Sequence, residues 1–276
     1  MRTIKYLPSI QRLAYFHANA TPEYWDSVWI KQGVPSAIAP SHDVIRLTTK
    51  YLSKGSRVLE AGCGRGDKVH AMALAGFDTV GIDFAPRTVR AAQELFPKCD
   101  IQLGDVRSLD FADCSFDGYW SLGVIEHFWS GYESILKEAR RVVRPGGYLF
   151  LSTPSFSPYR KYKARCGGFP IMNPVPDAEP SDFYQFALGK IEIESALKTH
   201  GFELKYWGGR GPEISMLEDM QRFSGFIKWF LCSRGGLAKR ITRRLVTRSL
   251  ANWCGHSFLS VSRRKEERLS RSLESH

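Results

Sequence analysis

The chain has 276 residues, of which 43% are hydrophobic and 24% are charged, a composition typical of a folded domain. Its six cysteines are scattered without a C-x-x-C pair, which argues against a disulfide framework or a zinc site and favours a reducing compartment. No apolar run approaches the roughly 20 residues of a membrane span, and basic residues with Pro8 interrupt the N-terminal stretch, which predicts a cytoplasmic protein.

Residues 1–54 form a predicted helical cap segment that is rich in aromatic side chains. Thr21 followed by Pro22 is typical of a helix start, with threonine as the cap and proline in the first turn. The apolar spacing over residues 41–52 predicts a second, amphipathic helix that leads into the core.

From residue 55 onward, short apolar segments alternate with amphipathic ones. Strands are predicted over residues 57–61, 79–82, 100–103, 116–122, 148–152, 202–206 and 256–262. Helices are predicted over residues 68–75, 86–95, 132–143 and 191–199. This order of elements predicts an α/β fold with a mainly parallel, doubly wound sheet.

Two long segments interrupt this alternation. Residues 154–189 contain six prolines, and residues 208–254 have a helical pattern over 217–231 and 237–250. Between residues 220 and 265 there are eleven basic residues and no acidic one, which leaves 28 basic and 28 acidic residues elsewhere. The net charge of +11 is therefore a local property of the C-terminal region, not a general affinity for polyanions.

A glycine-rich turn between the strand at 57–61 and its helix is the strongest chemical signal. It reads Glu60-Ala61-Gly62-Cys63-Gly64-Arg65-Gly66. Glycines let the backbone turn sharply and bring its amides close to a ligand above the strand ends. Asp83 and Asp105 occur at the ends of the next two strands, where carboxylates can accept ribose hydroxyls and an adenine amino group.

The same turn has two competing explanations, a plain strand–helix connection and a dinucleotide site. Asp83 at the next strand end disfavours the first explanation. For the second, the third glycine of G-x-G-x-x-G would have to be residue 67, which is Asp67. A carboxylate at that helix start repels a pyrophosphate. The pattern therefore favours an uncharged or cationic adenosine ligand.

Five motifs together resemble a known family over about residues 55–155. They are E-A-G-C-G-R-G, G-I-D-F, G-D-V, S-L-G-V-I-E-H-F and V-V-R-P-G-G-Y-L-F-L-S-T-P. In this the chain resembles the class I S-adenosylmethionine-dependent methyltransferases, in the subfamily compared with ubiquinone-biosynthesis methyltransferases. The resemblance implies a Rossmann-like, seven-stranded sheet whose last strand, at 256–262, is antiparallel, and S-adenosylmethionine as cofactor without a metal.

The resemblance also implies a division of the chain and a set of cofactor contacts. The divisions are a cap segment at 1–54, a methyltransferase core at 55–207 with 255–264, an inserted basic helical lid at 208–254, and a flexible tail at 265–276. The residues that would line the amino-acid part of the cofactor are Glu60, Gly62, Cys63, Gly64 and Gly66, with Ser121 and Leu122 close by. Those that would hold the adenosine are Asp83 at the ribose hydroxyls, Phe84 against the adenine, and Asp105 and Val106 at its edge. Ala85 departs from the family, which commonly has a small hydroxyl residue there.

Catalysis by methyl transfer is largely positioning, and a general base is needed only where the acceptor must lose a proton. His127 follows the fourth strand and is the candidate base, with a purely structural histidine as the alternative. Tyr24, Trp25 and Trp29 are candidates to close over the cofactor, since a sulfonium favours an aromatic face, and burial in the core is the alternative. Tyr159 is a candidate substrate contact, with a solvated charge run as the alternative.

The acceptor is predicted to be a small molecule or a lipid or saccharide, methylated at oxygen. The apolar and basic pattern over residues 220–250 resembles an amphipathic surface for anionic lipid headgroups, and a lid packed on the domain is the alternative. An RNA or protein methyltransferase is a second hypothesis. Nucleic acid is not expected, since the Asn/Asp-Pro-Pro-Tyr motif is absent and residues 121–124 read S-L-G-V. A non-catalytic cofactor-binding protein is a third.

Overall fold

The computed structural model describes residues 3–31, 42–220 and 237–266, together with residues 225, 227 and 229. The strands are β1 (Thr3–Leu7), β2 (Arg12–Phe16), β3 (Arg57–Ala61), β4 (Asp78–Asp83), β5 (Asp100–Leu103), β6 (Phe116–Leu122), β7 (Val143–Pro154), β8 (Phe183–Ala187), β9 (Phe202–Arg210) and β10 (Ser257–Arg264). The helices are α1 (Pro22–Lys31), α2 (His42–Tyr51), α3 (Asp67–Leu74), α4 (Pro86–Leu95), α5 (Glu133–Val142), α6 (Pro158–Arg165), α7 (Lys190–Thr199), α8 (Pro212–Asp219) and α9 (Leu237–Cys254). A 3₁₀ turn covers Ile125–His127.

A seven-stranded sheet forms the centre of the fold, in the order β5-β4-β3-β6-β7-β10-β9. The strands from β5 to β7 are parallel, and β10 lies antiparallel between β7 and β9. This confirms the predicted doubly wound sheet with an antiparallel last strand and a helical insertion before it. The chain moves outward from β3 to β5 and then returns to the other side of β3 with β6. Sheets of this kind bind ligands at such a reversal, outside the carboxyl ends of the strands.

A second, three-stranded sheet has the order β1-β2-β8. The helical prediction for residues 1–54 is wrong for residues 3–16, which form the hairpin β1–β2. Residues 13–16 of β2 are all buried, so the strand lacks the alternation of apolar and polar residues that identifies a half-buried strand. Its partner β8 lies about 170 residues further along the chain, within the proline-rich segment.

The predicted end of the sixth strand of the large sheet is also wrong, because β9 continues to Arg210 and the insertion begins at residue 211. Gly208 and Gly209 fall within the predicted insertion, yet they pair with Leu259 and Phe258 of β10. A Cβ at Gly209 would lie 1.8 Å from the carbonyl oxygen of Ala251. Glycine is therefore present there because α9 packs directly on the strand.

Smaller differences concern the ends of elements. The strand predicted at 148–152 extends over Val143–Pro154 and follows α5 without a loop. The helix predicted over 217–231 corresponds to α8 at its start, residues 225, 227 and 229 are helical, and the rest of that range lies outside the described residues. The predicted fraying of 265–276 likewise falls almost wholly outside them. Within the part of the chain that the structure describes, no helix combines the length and apolar character needed to cross a bilayer.

Candidate active site

A cavity opens at the carboxyl edge of the large sheet, at the reversal between β3 and β6. Gly62, Asp83, Asp105 and Leu122 line it, and each ends or follows one of four parallel strands, β3, β4, β5 and β6. The cavity has a volume of about 120 Å³ and is open to solvent on one side. The fold therefore brings together residues that the sequence places about 20 positions apart.

Close packing explains the glycines of the turn after β3. Gly62 has φ +80°, and a Cβ there would lie 2.4 Å from Cγ2 of Val124. Gly64 has φ +52°, and a Cβ there would lie 3.0 Å from the indole ring of Trp29. Both conformations favour glycine, and both glycines lie against a neighbouring side chain. The turn is thus held between the loop after β6 and helix α1.

Asp83, at the end of β4, is held by the same turn. Its two carboxylate oxygens accept hydrogen bonds from the amides of Gly64 (2.8 Å) and Ala85 (3.0 Å). Desolvation raises the pKa of Asp83, although these backbone donors oppose the shift. Each carboxylate oxygen has about two lone pairs, so both keep acceptor capacity on the cavity wall. Two oxygens in one plane suit the paired hydroxyls of a ribose.

Glu60, at the end of β3, is a buried carboxyl group, only 1% exposed. Neither of its carboxylate oxygens accepts a well-formed hydrogen bond from a described residue, although the amide of Val69 and the ammonium of Lys68, 3.7 Å away, partly offset its burial. Desolvation raises the pKa of Glu60 to about 7. A buried carboxyl group of this kind is costly unless a donor or cation satisfies it. Its chemistry fits the ammonium of an amino-acid ligand.

Asp105 is held by Arg107, a cavity residue that the sequence analysis missed. The Arg107 side chain donates from Nε and Nη2 to both carboxylate oxygens, and its amide donates to Oδ1 (2.8 Å). These hydrogen bonds lower the pKa of Asp105. The guanidinium also lies 5.3 Å from the ring centre of Phe128. The i, i+2 pairing of Asp105 and Arg107 after a strand end was the available signal for this contact.

Helix α1 covers the cavity with aromatic side chains. Trp25 and Trp29 stack at 6.1 Å between ring centres, and both line the cavity. Asp26, between them, is buried and accepts hydrogen bonds from the amide and hydroxyl of Thr88 (2.7 and 2.8 Å) in the first turn of α4. A carboxylate at a helix N-terminus satisfies free amides and the helix dipole. Asp26 therefore fixes α1 over the site.

His127 lies in the 3₁₀ turn after β6 and lines the same cavity. Its Nδ1–H donates to the carbonyl oxygen of Tyr184 in β8 (2.6 Å). A carbonyl can only accept, so this contact assigns the proton to Nδ1 and leaves the lone pair on Nε2. Desolvation lowers the pKa of His127 to about 4, against the opposing carbonyls of Tyr184 and Gly123. The ring is therefore neutral at physiological pH, and a neutral ring can accept a proton.

The structure places about half of the predicted site residues on the cavity wall. Those lining it are Trp25, Trp29, Gly62, Asp83, Phe84, Asp105, Val106, Leu122 and His127. Those beside or beneath it are Glu60, Cys63, Gly64, Gly66 and Ser121 in the turn and strand ends, and Tyr24 against the rings of Trp25 and Tyr184. The lining residues that sequence reasoning missed are Ala20, Arg107, Gly123, Val124 and Phe128.

Tyr159 does not line this cavity. It lies where α6 meets α8 and α9, with its hydroxyl donating to the backbone carbonyl of Asp219 (3.4 Å) and its ring 5.1 Å from that of Trp253. Among the described residues, no group of three or more histidine, cysteine, aspartate or glutamate side chains is arranged to hold a metal ion.

Comparison with known proteins identifies related sequences. Residues 59–151 match the family model described as a methyltransferase domain. A probable S-adenosylmethionine-dependent methyltransferase of Mycolicibacterium smegmatis is 31% identical over 167 residues, which are 59% of this chain and 58% of that protein. The chain thus spans less than two thirds of that relative's length. A ubiquinone biosynthesis O-methyltransferase of Pseudomonas syringae pv. tomato is 30% identical over 180 residues, 62% of this chain and 76% of that protein.

Solved structures share the fold. A structure described as a SAM-dependent methyltransferase from Methanosarcina mazei superposes with a TM-score of 0.55 at 18% identity. The match covers 80% of this chain and 98% of that one. At this identity the likeness concerns the architecture of the sheet and its helices.

Proposed function

Because the chain belongs to the methyltransferase-domain family of class I S-adenosylmethionine-dependent enzymes, we propose that it methylates a hydroxyl group of a small-molecule or lipid-linked acceptor. The position of His127 on the cavity wall, with Nδ1–H bonded to the Tyr184 carbonyl and Nε2 left without a proton, carries the proposal of an oxygen acceptor. A hydroxyl must lose its proton as it is methylated, and a positioned base contributes roughly 10²–10⁴-fold to such a step. The O-methyltransferase of Pseudomonas syringae named above is consistent with this acceptor.

The wall at the strand ends holds the cofactor in this proposal. Asp83 accepts the ribose hydroxyls while the amides of Gly64 and Ala85 keep its carboxylate in place. Glu60 lies near the amino-acid end, where an ammonium would satisfy its buried oxygens. Phe84 and Val106 provide apolar surface for the adenine. When bound, S-adenosylmethionine supplies a methyl group on a sulfonium, and the nearby aromatic rings favour that positive charge.

The wall formed by α1 and the loop after β6 receives the acceptor. Trp25 packs edge-on against the ring of His127 at 5.1 Å, and Phe128 and Trp29 extend the apolar lining. These side chains exclude water from the reacting groups, which strengthens positioning and electrostatic effects. The bond from His127 Nδ1–H to Tyr184 keeps Nε2 as the acceptor of the hydroxyl proton. The lining favours a planar or apolar acceptor that presents a hydroxyl.

Transfer of a deuterated methyl group, followed by mass spectrometry, tests the proposal. Three matched acceptors are compared, 1,2-dihydroxybenzene, 1,2-diaminobenzene and benzenethiol, alongside total RNA and a protein extract. We expect label on oxygen, and loss of that label in His127→Asn, whose amide can still donate to Tyr184. Label on nitrogen, RNA or protein would contradict an oxygen acceptor. Tight cofactor binding without label on any acceptor would favour a non-catalytic binding protein.

A further inference from the structure

Helix α9, in the inserted segment, exposes a row of large apolar side chains. Ile241 is 50% exposed, Leu245 61%, Val246 37% and Trp253 46%. Isolated exposed apolar residues are ordinary, but four large ones exposed on one helix are a concentration of the kind found at interaction sites. We call these four residues, together with the exposed Arg248, the α9 face.

The opposite side of the helix fixes the orientation of this face. Cys254 is buried and Leu250 and Ala251 are half-buried, which places the inner side of α9 against the body of the protein. Gly209 of β9 donates its amide to the side-chain oxygen of Asn252 (2.8 Å). Leu250 and Cys254 are four residues apart on the inner side, so Ile241, Leu245 and Arg248 lie on the opposite side of the helix. The ring of Trp253, at the end of the face, also contacts Tyr159 of α6.

The charge of the helix selects the partner. The sequence of α9 contains five basic residues and no acidic one. Two copies of such a helix repel each other, which disfavours pairing through this face. The exposed apolar side chains that accompany the basic ones would gain nothing from a nucleic-acid backbone, which disfavours RNA. A lipid surface with anionic headgroups satisfies both features, because acyl chains accept the apolar side chains and headgroups attract the basic ones.

We propose that the α9 face binds the surface of an anionic membrane. The position of α9 in the fold indicates what membrane binding would achieve. α9 ends just before β10, whose first residue Ser257 pairs with Pro154 and Arg210 at the carboxyl ends of β7 and β9. The cavity opens at the carboxyl ends of the same sheet. Binding would hold this edge at the membrane, where an apolar or lipid-linked acceptor resides. That use rests on the proposed function, whereas membrane binding itself does not.

Sedimentation of the full chain with vesicles tests the proposal. Vesicles of phosphatidylcholine alone are compared with vesicles in which about one lipid in three is phosphatidylglycerol, at low and high salt. We expect binding to the anionic vesicles only, with at least tenfold weaker binding at high salt. Equal binding to both vesicles, or to neither, would overturn the proposal. So would binding to RNA at the same salt with no binding to vesicles.

Two variants localise the contact, and a matched variant controls for surface charge. Leu245→Glu removes the most exposed apolar side chain of the face, and Arg248→Glu reverses a charge there. We expect each to weaken vesicle binding about tenfold or more, since each basic residue near an anionic surface contributes a factor of about five. Leu74→Glu alters a leucine that is 76% exposed on α3 and should change binding less than twofold. Equal losses in Leu74→Glu and Leu245→Glu would contradict the assignment to α9.

Cofactor titration separates this proposal from the previous one. Leu245→Glu should bind S-adenosylhomocysteine as tightly as the unaltered chain, because none of the described side chains of α9 lines the cavity. Intact vesicle binding by a chain that binds no cofactor would support the α9 face while refuting the proposed function. Cofactor binding with no vesicle binding would refute the α9 face as a membrane-binding surface and would leave the proposed function standing.

Discussion

The two walls of the cavity are built in different ways. The wall at the strand ends is held by backbone, with Asp83 fixed by two amides and Gly62 packed against the loop after β6. The wall formed by α1 is held by side chains, through the Asp26 cap on α4 and the stack of Trp25 on Trp29. Backbone contacts tolerate changes in side chains, whereas side-chain contacts do not. The difference suggests that cofactor binding and acceptor binding can be separated by mutation.

The largest expected effect is at His127, where the two walls meet. His127→Asn should lower turnover roughly 10²–10⁴-fold, because the proposed base is lost, and leave cofactor affinity unchanged. The asparagine amide can replace Nδ1–H as the donor to Tyr184, so the fold should be retained. Initial rates and cofactor titration measure the two effects. His17→Ala, which alters an exposed histidine that also contacts Tyr184, is the matched control. A large loss of stability with unchanged turnover would indicate a structural role instead.

The buried carboxyl group of Glu60, in the wall at the strand ends, should make the stability of the fold depend on pH. The native pKa of Glu60 is about 7, above its ordinary value of 4.5, so the folded state binds the proton more tightly. The contribution of Glu60 to stability is therefore full below pH 4.5, falls as pH rises to 7, and is constant above it. Glu60→Gln cannot titrate. Its free energy of unfolding, relative to that of the unaltered chain, should therefore rise by up to about 3 kcal/mol between pH 4.5 and pH 8. Urea unfolding at both pH values measures the difference. A constant difference would mean that Glu60 titrates normally.

The affinity of Asp83→Ala for the cofactor product tests the same wall. Loss of the carboxylate should weaken S-adenosylhomocysteine binding by about 1.5–3 kcal/mol, the cost of losing a charged hydrogen-bond acceptor. Calorimetric titration measures it, with circular dichroism to establish that the variant is folded. Asp78→Ala, at the exposed start of the same strand, should bind normally. Undiminished affinity in Asp83→Ala would remove the proposed ribose contact.

The smallest expected effect is at Asp26, in helix α1 over the cavity. Asp26→Ala should destabilise the fold by about 1 kcal/mol, because the first amides of α4 lose their acceptor. Urea unfolding measures this loss, and Glu23→Ala, an exposed acid on the same helix, should change stability much less. Cofactor affinity should fall less than in Asp83→Ala, since the backbone wall remains intact. A loss of cofactor affinity larger than that in Asp83→Ala would contradict the division between the walls.

The strand-end wall could be predicted from sequence because its parts are local. A strand, a glycine turn and a helix follow within about 15 residues, and Asp83 ends the next strand. Each parallel strand delivers its last residue to the same edge, so the positions of Gly62, Asp83, Asp105 and Leu122 follow from the order of elements. The roles of these residues toward the cofactor remain predictions.

The other wall could not be predicted because its contacts are distant in sequence. Tyr184 reaches Trp25 and His127 from β8, which pairs with a hairpin near the N-terminus. Strand β2 of that hairpin is buried on both faces and carries no alternation to reveal it. The Asp26 cap on Thr88 likewise joins residues 62 positions apart. Such contacts depend on packing of the whole chain rather than on a local pattern.

Calorimetric titration of the full chain with S-adenosylhomocysteine, with NAD as the control, tests the central claim most directly. The cavity at the strand ends, with Asp83 and a buried Glu60, should bind S-adenosylhomocysteine with a dissociation constant on the order of micromolar and leave NAD unbound. Asp67 at the start of α3 is the reason for the second expectation, since its carboxylate repels a pyrophosphate. Preference for NAD, or no binding of S-adenosylhomocysteine, would contradict the assignment of this cavity.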